Sequence, residues 1–427
     1  MTEAAQPRTD VYLPKLATLL EEGYDLRRFK ADAIAGLTVA IVALPLSMAI
    51  AIASGVSPDR GLYAAIVGGF LVSALGGSRF QIGGPAGAFI VLVASTAAVH
   101  GVDGLIMATF LSGLFVTLAG VFRLGGLIRL IPHPVTVGFT AGIAVVIFAS
   151  QLKDLFGLSL SGPEPGELLP KLKALADAAP TMSWQALALS VSVIVVIQTI
   201  KRFKPTWPSL LIAVAGAAIV ATVFHLPVET IGTRFGGIPH GLPAPHLPQI
   251  SWSKLIEVMP AALAFTLLGG IESLLSAVVA DGMTGRQHRS NMELIAQGLG
   301  NVGSAVFGGI PVTGTIARTA TNVRAGATSP VSGIMHSAYL LVFMLLAAPL
   351  AAYVPLPALA GLLAVVAWNM AEKAEIKRLL VERKGAAAVL AATFLLTIFH
   401  DLIAGIGTGC AIAMGLAVWS RWKASRV

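Results

Sequence analysis

The sequence predicts an all-α membrane protein of fourteen transmembrane segments, built as two seven-span repeats of opposite orientation. Three observations lead there: a composition suited to lipid, the number and length of the apolar stretches, and Gly/Pro motifs that recur half a chain apart. Hydrophobic residues make up 56% of the 427 and charged residues only 12%, about half the charged share of a soluble domain. The 45 glycines and 24 prolines are tolerable in membrane helices, where neighbouring helices re-satisfy freed backbone groups and small residues permit close packing. The single cysteine, Cys410, allows no intrachain disulfide,. The polar N-terminus has neither the short apolar core nor the cleavage site of a signal peptide,.

Apolar stretches in the first half fall at 33–53, 60–77, 86–99, 104–122, 134–152, 184–200 and 207–225,. The second half gives 258–281, 292–308, 314–325, 331–350, 353–370, 385–400 and 402–420. Most approach the roughly 20 residues that cross a hydrocarbon core of about 30 Å. The third and tenth do not, covering only about 20 Å at about 1.5 Å per residue. The chain therefore divides into an N-terminal segment 1–32, a first repeat 33–225, an extracytoplasmic connector 226–257 and a second repeat 258–427.

The basic residues test this count. With both termini cytoplasmic, 22 of the 29 Lys and Arg lie inside, Arg123 and Arg129 among them, and six lie outside, as the positive-inside rule requires. The net charge of +8 is thus a signature of topology in the cell (inner) membrane rather than of nucleic-acid binding. The charged run Glu372 to Lys384, a loop or a surface helix, is read as a solvated cytoplasmic connector.

Ile131-Pro132-His133-Pro134 followed by Gly138 matches Val354-Pro355-Leu356-Pro357 followed by Gly361. Gly83-Gly84-Pro85 before the third span likewise matches Gly308-Gly309-Ile310-Pro311 before the tenth. Two halves of seven spans must be inverted relative to one another. Short, Gly/Pro-interrupted segments at matching positions are what alternating-access transporters place around their substrate. If both are half-helices, their N-termini present unpaired N–H groups and partial positive charge to an anion. Gly87, Ala88 and Phe89 would form one such end, and Thr313, Gly314 and Thr315 the other.

Arg318 lies on the tenth segment, and a charge inside a membrane is a functional-site hypothesis by default. Glu272, near the centre of the eighth span, reads in three ways: a proton carrier, a cation ligand assisted by Ser276, or a static partner of Arg318. Asp281, Glu293, His133, His336 and His400 are read as interfacial or helix-capping groups. Nothing supports an enzyme: there is no phosphate-binding loop, zinc-type histidine pair or nucleophile elbow.

The motifs resemble those of the SulP sulfate-permease family. They are Leu44-Pro45-Leu46-Ser47-Met48-Ala49-Ile50-Ala51, Gly61-Leu62-Tyr63, Gly76-Gly77-Ser78-Arg79, Gly270-Ile271-Glu272-Ser273, Val279-Ala280-Asp281, and Pro311-Val312-Thr313-Gly314 leading to Arg318-Thr319. The resemblance implies a uracil-permease-like fold, with spans 1–4 and 8–11 as a core domain and spans 5–7 and 12–14 as a gate domain. It also implies a homodimer. Substrate would lie between spans 3 and 10, touched by Leu46, Ile50, Gly87, Ala88, Phe89, Thr315, Ala317 and Arg318, with Glu272 and Ser276 holding a coupling ion. Leu46 replaces a glutamine common in the family, and Ala317 stands where some members have serine. Family members usually continue into a cytoplasmic STAS domain, whereas this sequence stops at Val427.

The expected function is secondary transport of a small inorganic or carboxylate anion, of the sulfate, bicarbonate or dicarboxylate class, coupled to protons. No cofactor is expected beyond the coupling H+. Sodium coupling or anion exchange on the same fold are the near alternatives; a nucleobase permease or an anion channel are more distant ones.

Overall fold

The computed structural model describes residues 12–126, 132–162, 164–165, 168–205, 207–249, 251–382, 384–400 and 402–424. Of the residues used above, Arg129, Ile131, Arg383 and Val427 lie outside the described residues. Helices dominate. In the first half they are α1 (Lys15–Glu22), α2 (Leu26–Ala53), α3 (Pro58–Tyr63) and α4 (Gly69–Leu75), then α5 (Ile90–Val121) and α6 (His133–Phe156). After these come α7 (Leu168–Asp177), α8 (Trp184–Phe203), α9 (Ser209–Val223) and α10 (Ile231–Phe235). The second half holds α11 (Trp252–Thr284), α12 (Ser290–Val306), α13 (Ile316–Arg324), α14 (Val331–Ala351), α15 (Leu356–Met370), α16 (Lys373–Glu382), α17 (Lys384–Phe399) and α18 (Leu402–Ala424). Two two-residue strands, β1 (Gly83–Gly84) and β2 (Thr313–Gly314), complete the fold.

Six helices among the described residues are long and apolar enough to cross a membrane, and Ser209–Val223, Gly385–Phe399 and Ala404–Trp419 are shorter apolar helices. The helix ends are chemically marked. Asp25, Ser183 and Ser251 accept from the backbone N–H three residues on, at Arg28, Ala186 and Lys254, satisfying a donor each helix would otherwise orphan. Pro132 and Pro355 precede α6 and α15 in matching positions.

The predicted third and fourth spans separate at Gly101, whose φ of 69° breaks the helical backbone within Ile90–Val121. In the run 373–384, residues 373–382 form a helix, α16. Ile376 and Leu379, spaced to share a helix face, pack with Val137 and Leu390 of α6 and α17. The polar N-terminal segment also has structure. The Lys15 amide donates to the Gly76 carbonyl at 2.9 Å, and Arg289 donates to Leu13 O at 2.8 Å and Thr18 Oγ1 at 2.9 Å. Glu22 pairs with Arg79, whose hydrogen bond holds the Glu22 carboxyl below its usual value.

Packing concentrates in two groups. In one, α5 lies against α11 and α12, and α2 against α14 and α13; in the other, α6 lies against α15 and α17, and α8 against α15 and α9. The α5–α12 contact relies on small residues. A Cβ on Gly113 would meet the Gly298 carbonyl oxygen at 2.7 Å, and one on Gly298 would meet the Gly113 oxygen at 2.5 Å. The two backbones therefore touch, a close approach that replaces the hydrophobic driving force lipid cannot supply.

Candidate anion-binding site

The strands β1 and β2 pair antiparallel, Gly83 opposite Gly314 and Gly84 opposite Thr313. Each strand runs within two residues into a helix start, a short 3₁₀ turn at Gly87–Phe89 before α5 and the first turn of α13 at Ile316. Both faces of this bridge are clamped from helices. Asn301 of α12 accepts from the Val312 N–H and donates to the Val312 carbonyl, each at 2.9 Å, acting as a third strand would. Thr313 Oγ1 donates to Gly269 O at 3.0 Å, and Thr319 Oγ1 accepts from the Ile82 N–H at 3.1 Å.

Arg318 sits beside the bridge with 1% of its surface exposed. Its Nη2 donates to Ser47 Oγ and to the Pro85 carbonyl, both at 3.2 Å. Its Nε and Nη1 are enclosed and have no hydrogen-bond partner. Among the described residues no carboxylate lies within ion-pair distance of it. A guanidinium removed from water without a counter-charge is costly, so the unused donors and charge make Arg318 a candidate for holding an anion. Gly84 makes the approach possible: a Cβ there would sit 2.2 Å from Arg318 Nη1. Gly84→Ala is therefore expected to displace the guanidinium and weaken anion binding by about tenfold or more, an effect of about 1.4 kcal/mol, measurable by anion titration of the purified variant.

The expected site residues separate into those the fold gathers and those it does not. Gly87 lies where the two packing groups meet, since a Cβ on it would reach Ile147 of α6 at 3.2 Å and Met370 of α15 at 3.4 Å. Ala88 and Phe89 are buried beside it, the Phe89 ring edge-on to Phe265 at 5.7 Å between centroids. Leu46 and Ile50 are buried on α2, flanking Ser47. Thr315 is buried, but its N–H donates to Ile82 O at 3.0 Å, so this amide is already engaged. Ala317 is exposed, turned about 100° around the helix from Arg318,.

Glu272 is half-buried on α11, and its Oε2 is enclosed without a partner. It is not the static ion-pair partner of Arg318. Ser276 is fully buried, and its hydroxyl donates to Thr319 Oγ1 at 3.0 Å rather than to Glu272.

Several residues near the site were read differently from sequence. Glu293 is not interfacial: it is fully buried, accepting from the Ser78 N–H at 2.8 Å and from Gln81 Nε2 at 2.7 Å. Gln81 also donates to Ser273 Oγ at 2.7 Å, and its amide lies over the Cα of Gly314. His336 is fully buried with both ring nitrogens unpartnered. His133 is exposed, and its Nε2 lies 2.9 Å from a Glu375 carboxylate oxygen. Ser47 and Gln81 carried no charge and no helix-breaking chemistry, so nothing local distinguished them. The one available signal for Ser47 was its place one residue beyond Leu46 in a span interrupted by Pro45.

The sulfate permease family profile matches residues 29–393. The chain is 42% identical over 407 residues to the "Putative sulfate transporter YvdB" of Bacillus subtilis, covering 95% of this chain and 77% of that protein. It is 31% identical to the "Bicarbonate transporter BicA" of a Picosynechococcus species, covering 92% of this chain and 70% of that protein. Among solved structures, the transmembrane domain of a cyanobacterial bicarbonate transporter BicA superposes with a TM-score of 0.82 at 31% identity. That match covers 90% of this chain and 98% of the other.

Proposed function

We propose that this chain, which belongs to the sulfate permease family, carries a small inorganic or carboxylate anion across the membrane as a secondary active transporter. The observation that carries the reading is Arg318: buried, without a carboxylate, and with two enclosed donors unused. The helix starts at Gly87 and Ile316 converge on the same bridge. Partial positive charge at both ends adds to that of the guanidinium. Sulfate, bicarbonate and dicarboxylates all fit this chemistry, and the relatives' names favour the first two.

In this reading the two halves are inverted seven-span repeats and the segments at 86–99 and 314–325 are half-helices. The packing group of α2–α5 with α11–α14 is the core that carries the anion, and the group of α6–α9 with α15–α18 is the gate. Alternating access follows if the core moves against the gate, because Gly87 meets Ile147 and Met370 across their boundary,. Both termini lie in the cytoplasm, and the working unit is a homodimer.

Glu272 is the coupling group. Its Oε2 is enclosed and has no hydrogen-bond partner on the protein, so exchange of a proton with water belongs to a state in which α11 is wetted. Sodium is the near alternative, because the Ser276 hydroxyl donates its proton to Thr319 Oγ1 and keeps its oxygen lone pairs for a cation,. Uptake of labelled sulfate, bicarbonate, chloride and a dicarboxylate into proteoliposomes, with and without an inward proton gradient, tests this directly. One anion should accumulate faster with the gradient. Glu272→Gln should abolish that stimulation while leaving counterflow of the same anion; stimulation that survives in the variant would remove Glu272 from the coupling role.

A further inference from the structure

We propose that an acyl chain of a bilayer lipid occupies the cavity between α2, α9 and α14. This cavity measures about 550 Å³ and is separate from the anion site. Pro45 and Met48 of α2, Val214 and Ala218 of α9, and Phe343 and Ala347 of α14 line it. Its side-chain hydroxyls are two. Thr222 already donates to the Ala218 carbonyl at 2.8 Å, and Tyr353 stands at the rim, 54% exposed.

The lining decides the occupant. Water needs two to four polar partners in a cavity, and below the rim this wall offers only Thr222, whose proton is already donated to Ala218,. Left empty, so large a space forfeits the dispersion contacts of every side chain around it. Hydrocarbon satisfies both constraints, and the surroundings of a membrane protein supply it. The mouth is continuous with the lipid-facing surface, where Ile219, Val223 and Leu350 are each more than 60% exposed. Tyr353 places an amphipathic ring at that mouth, the arrangement found where a protein meets lipid headgroups.

The position gives the lipid a consequence. α2 is softened at Pro45, which cannot bond back to the Ile41 carbonyl,. Pro45 and Met48 face the cavity, while Ser47 between them bonds Arg318. A chain wedged against this turn braces the strut that holds the guanidinium, and it does so between helices of the two packing groups. The inference rests on the membrane setting and on the cavity wall, and it stands whether or not the anion reading does.

The test is photolabelling in phosphatidylethanolamine–phosphatidylglycerol vesicles containing a trace of phosphatidylglycerol with an acyl-chain diazirine, followed by peptide mapping. Labels are expected on the cavity-lining faces of α9 and α14. Ala218→Phe and Ala347→Phe fill the cavity and should each lower that labelling about tenfold. Labelling near Val191 and Val195 on the exposed face of α8 should stay unchanged, which also reports intact folding. Unchanged cavity labelling in both folded variants would overturn the proposal. So would reaction of Ala218→Cys, in a Cys410→Ser background, with a membrane-impermeant charged thiol reagent, because that would show water in the cavity. Protection of that cysteine supports the lipid even where a filled variant fails to fold.

Discussion

Arg318→Ala is expected to abolish anion uptake while leaving the protein at least as heat-stable as the wild type in the absence of anion. Loss of a buried cation facing a bound anion costs on the order of 3 kcal/mol or more, above a hundredfold in affinity. Stability behaves differently because the guanidinium is buried without a counter-charge and keeps only the Ser47 and Pro85 bonds. Removing an uncompensated charge relieves a desolvation penalty that two weak bonds do not offset. Arg318→Lys should fall between: a single ammonium keeps the charge but not the planar fork that reaches Ser47, Pro85 and the ligand together. Thermal unfolding with and without sulfate or bicarbonate, run beside uptake, checks both parts. A large drop in stability of the alanine variant would mean that Arg318 is a structural group and that the anion site lies elsewhere.

Asp32→Ala is expected to be the most destabilising single change near the N-terminal end of α2. The Asp32 carboxylate has no exposed surface. It accepts from the Thr328 N–H at 2.6 Å, the Ser329 N–H at 3.1 Å, Thr328 Oγ1 at 3.0 Å, Tyr24 OH at 2.9 Å and Ser329 Oγ. Truncation strands several buried donors at once, at a cost on the order of 4 kcal/mol. Asp32→Asn, which keeps one acceptor but no charge, should lose about half as much. The cluster ties the start of α2 to the turn between α13 and α14, and α2 and α13 are the helices that carry Ser47 and Arg318. Asp32 variants should therefore lower the unfolding temperature and weaken anion binding together. Destabilisation with unchanged anion affinity would show that the tie does not reach the site.

How far the sequence reveals this molecule depends on the kind of signal. Apolar length and charge asymmetry reveal a membrane protein because lipid imposes those constraints residue by residue. Arg318 was legible for the same reason: a charge in an apolar span needs no partner to be conspicuous. Gly84 was legible as part of a Gly-Gly-Pro interruption, though not as the surface on which the guanidinium rests. The contacts that build the site were not legible. Ser47 and Arg318 are 271 residues apart, as are Ser337 and Ala65 within one residue of that span, and hydroxyls on apolar helices usually bond back to their own turn,. Glu293 looked interfacial because it lies close to the end of an apolar stretch, where carboxylates are ordinary, and Asp32 drew no reading beyond the end of a polar segment. Only the packed helices show that loop amides and a glutamine close over them. Whether the run at 373–384 is loop or helix was open in the sequence for a related reason, since the apolar face of α16 is two residues wide and has meaning only beside Val137 and Leu390.

The pairing of Gly83–Gly84 with Thr313–Gly314 also bears on how the molecule comes into being. Its two rungs join segments separated by 230 residues, and Ile82 and Thr319 add further bonds across the same gap. Long-range pairings of this kind are slow to form, because closing so large a loop has to precede the contacts that reward it. During synthesis the first strand is made long before its partner leaves the ribosome. Until then it has no mate for its backbone groups, and Arg318 is not yet part of the chain. The helices of the first half can insert and begin to pack in that interval, but the bridge and everything it positions are completed only near the end of assembly. The candidate site thus cannot form until both halves of the chain are present, and its presence is a sign that they have folded together.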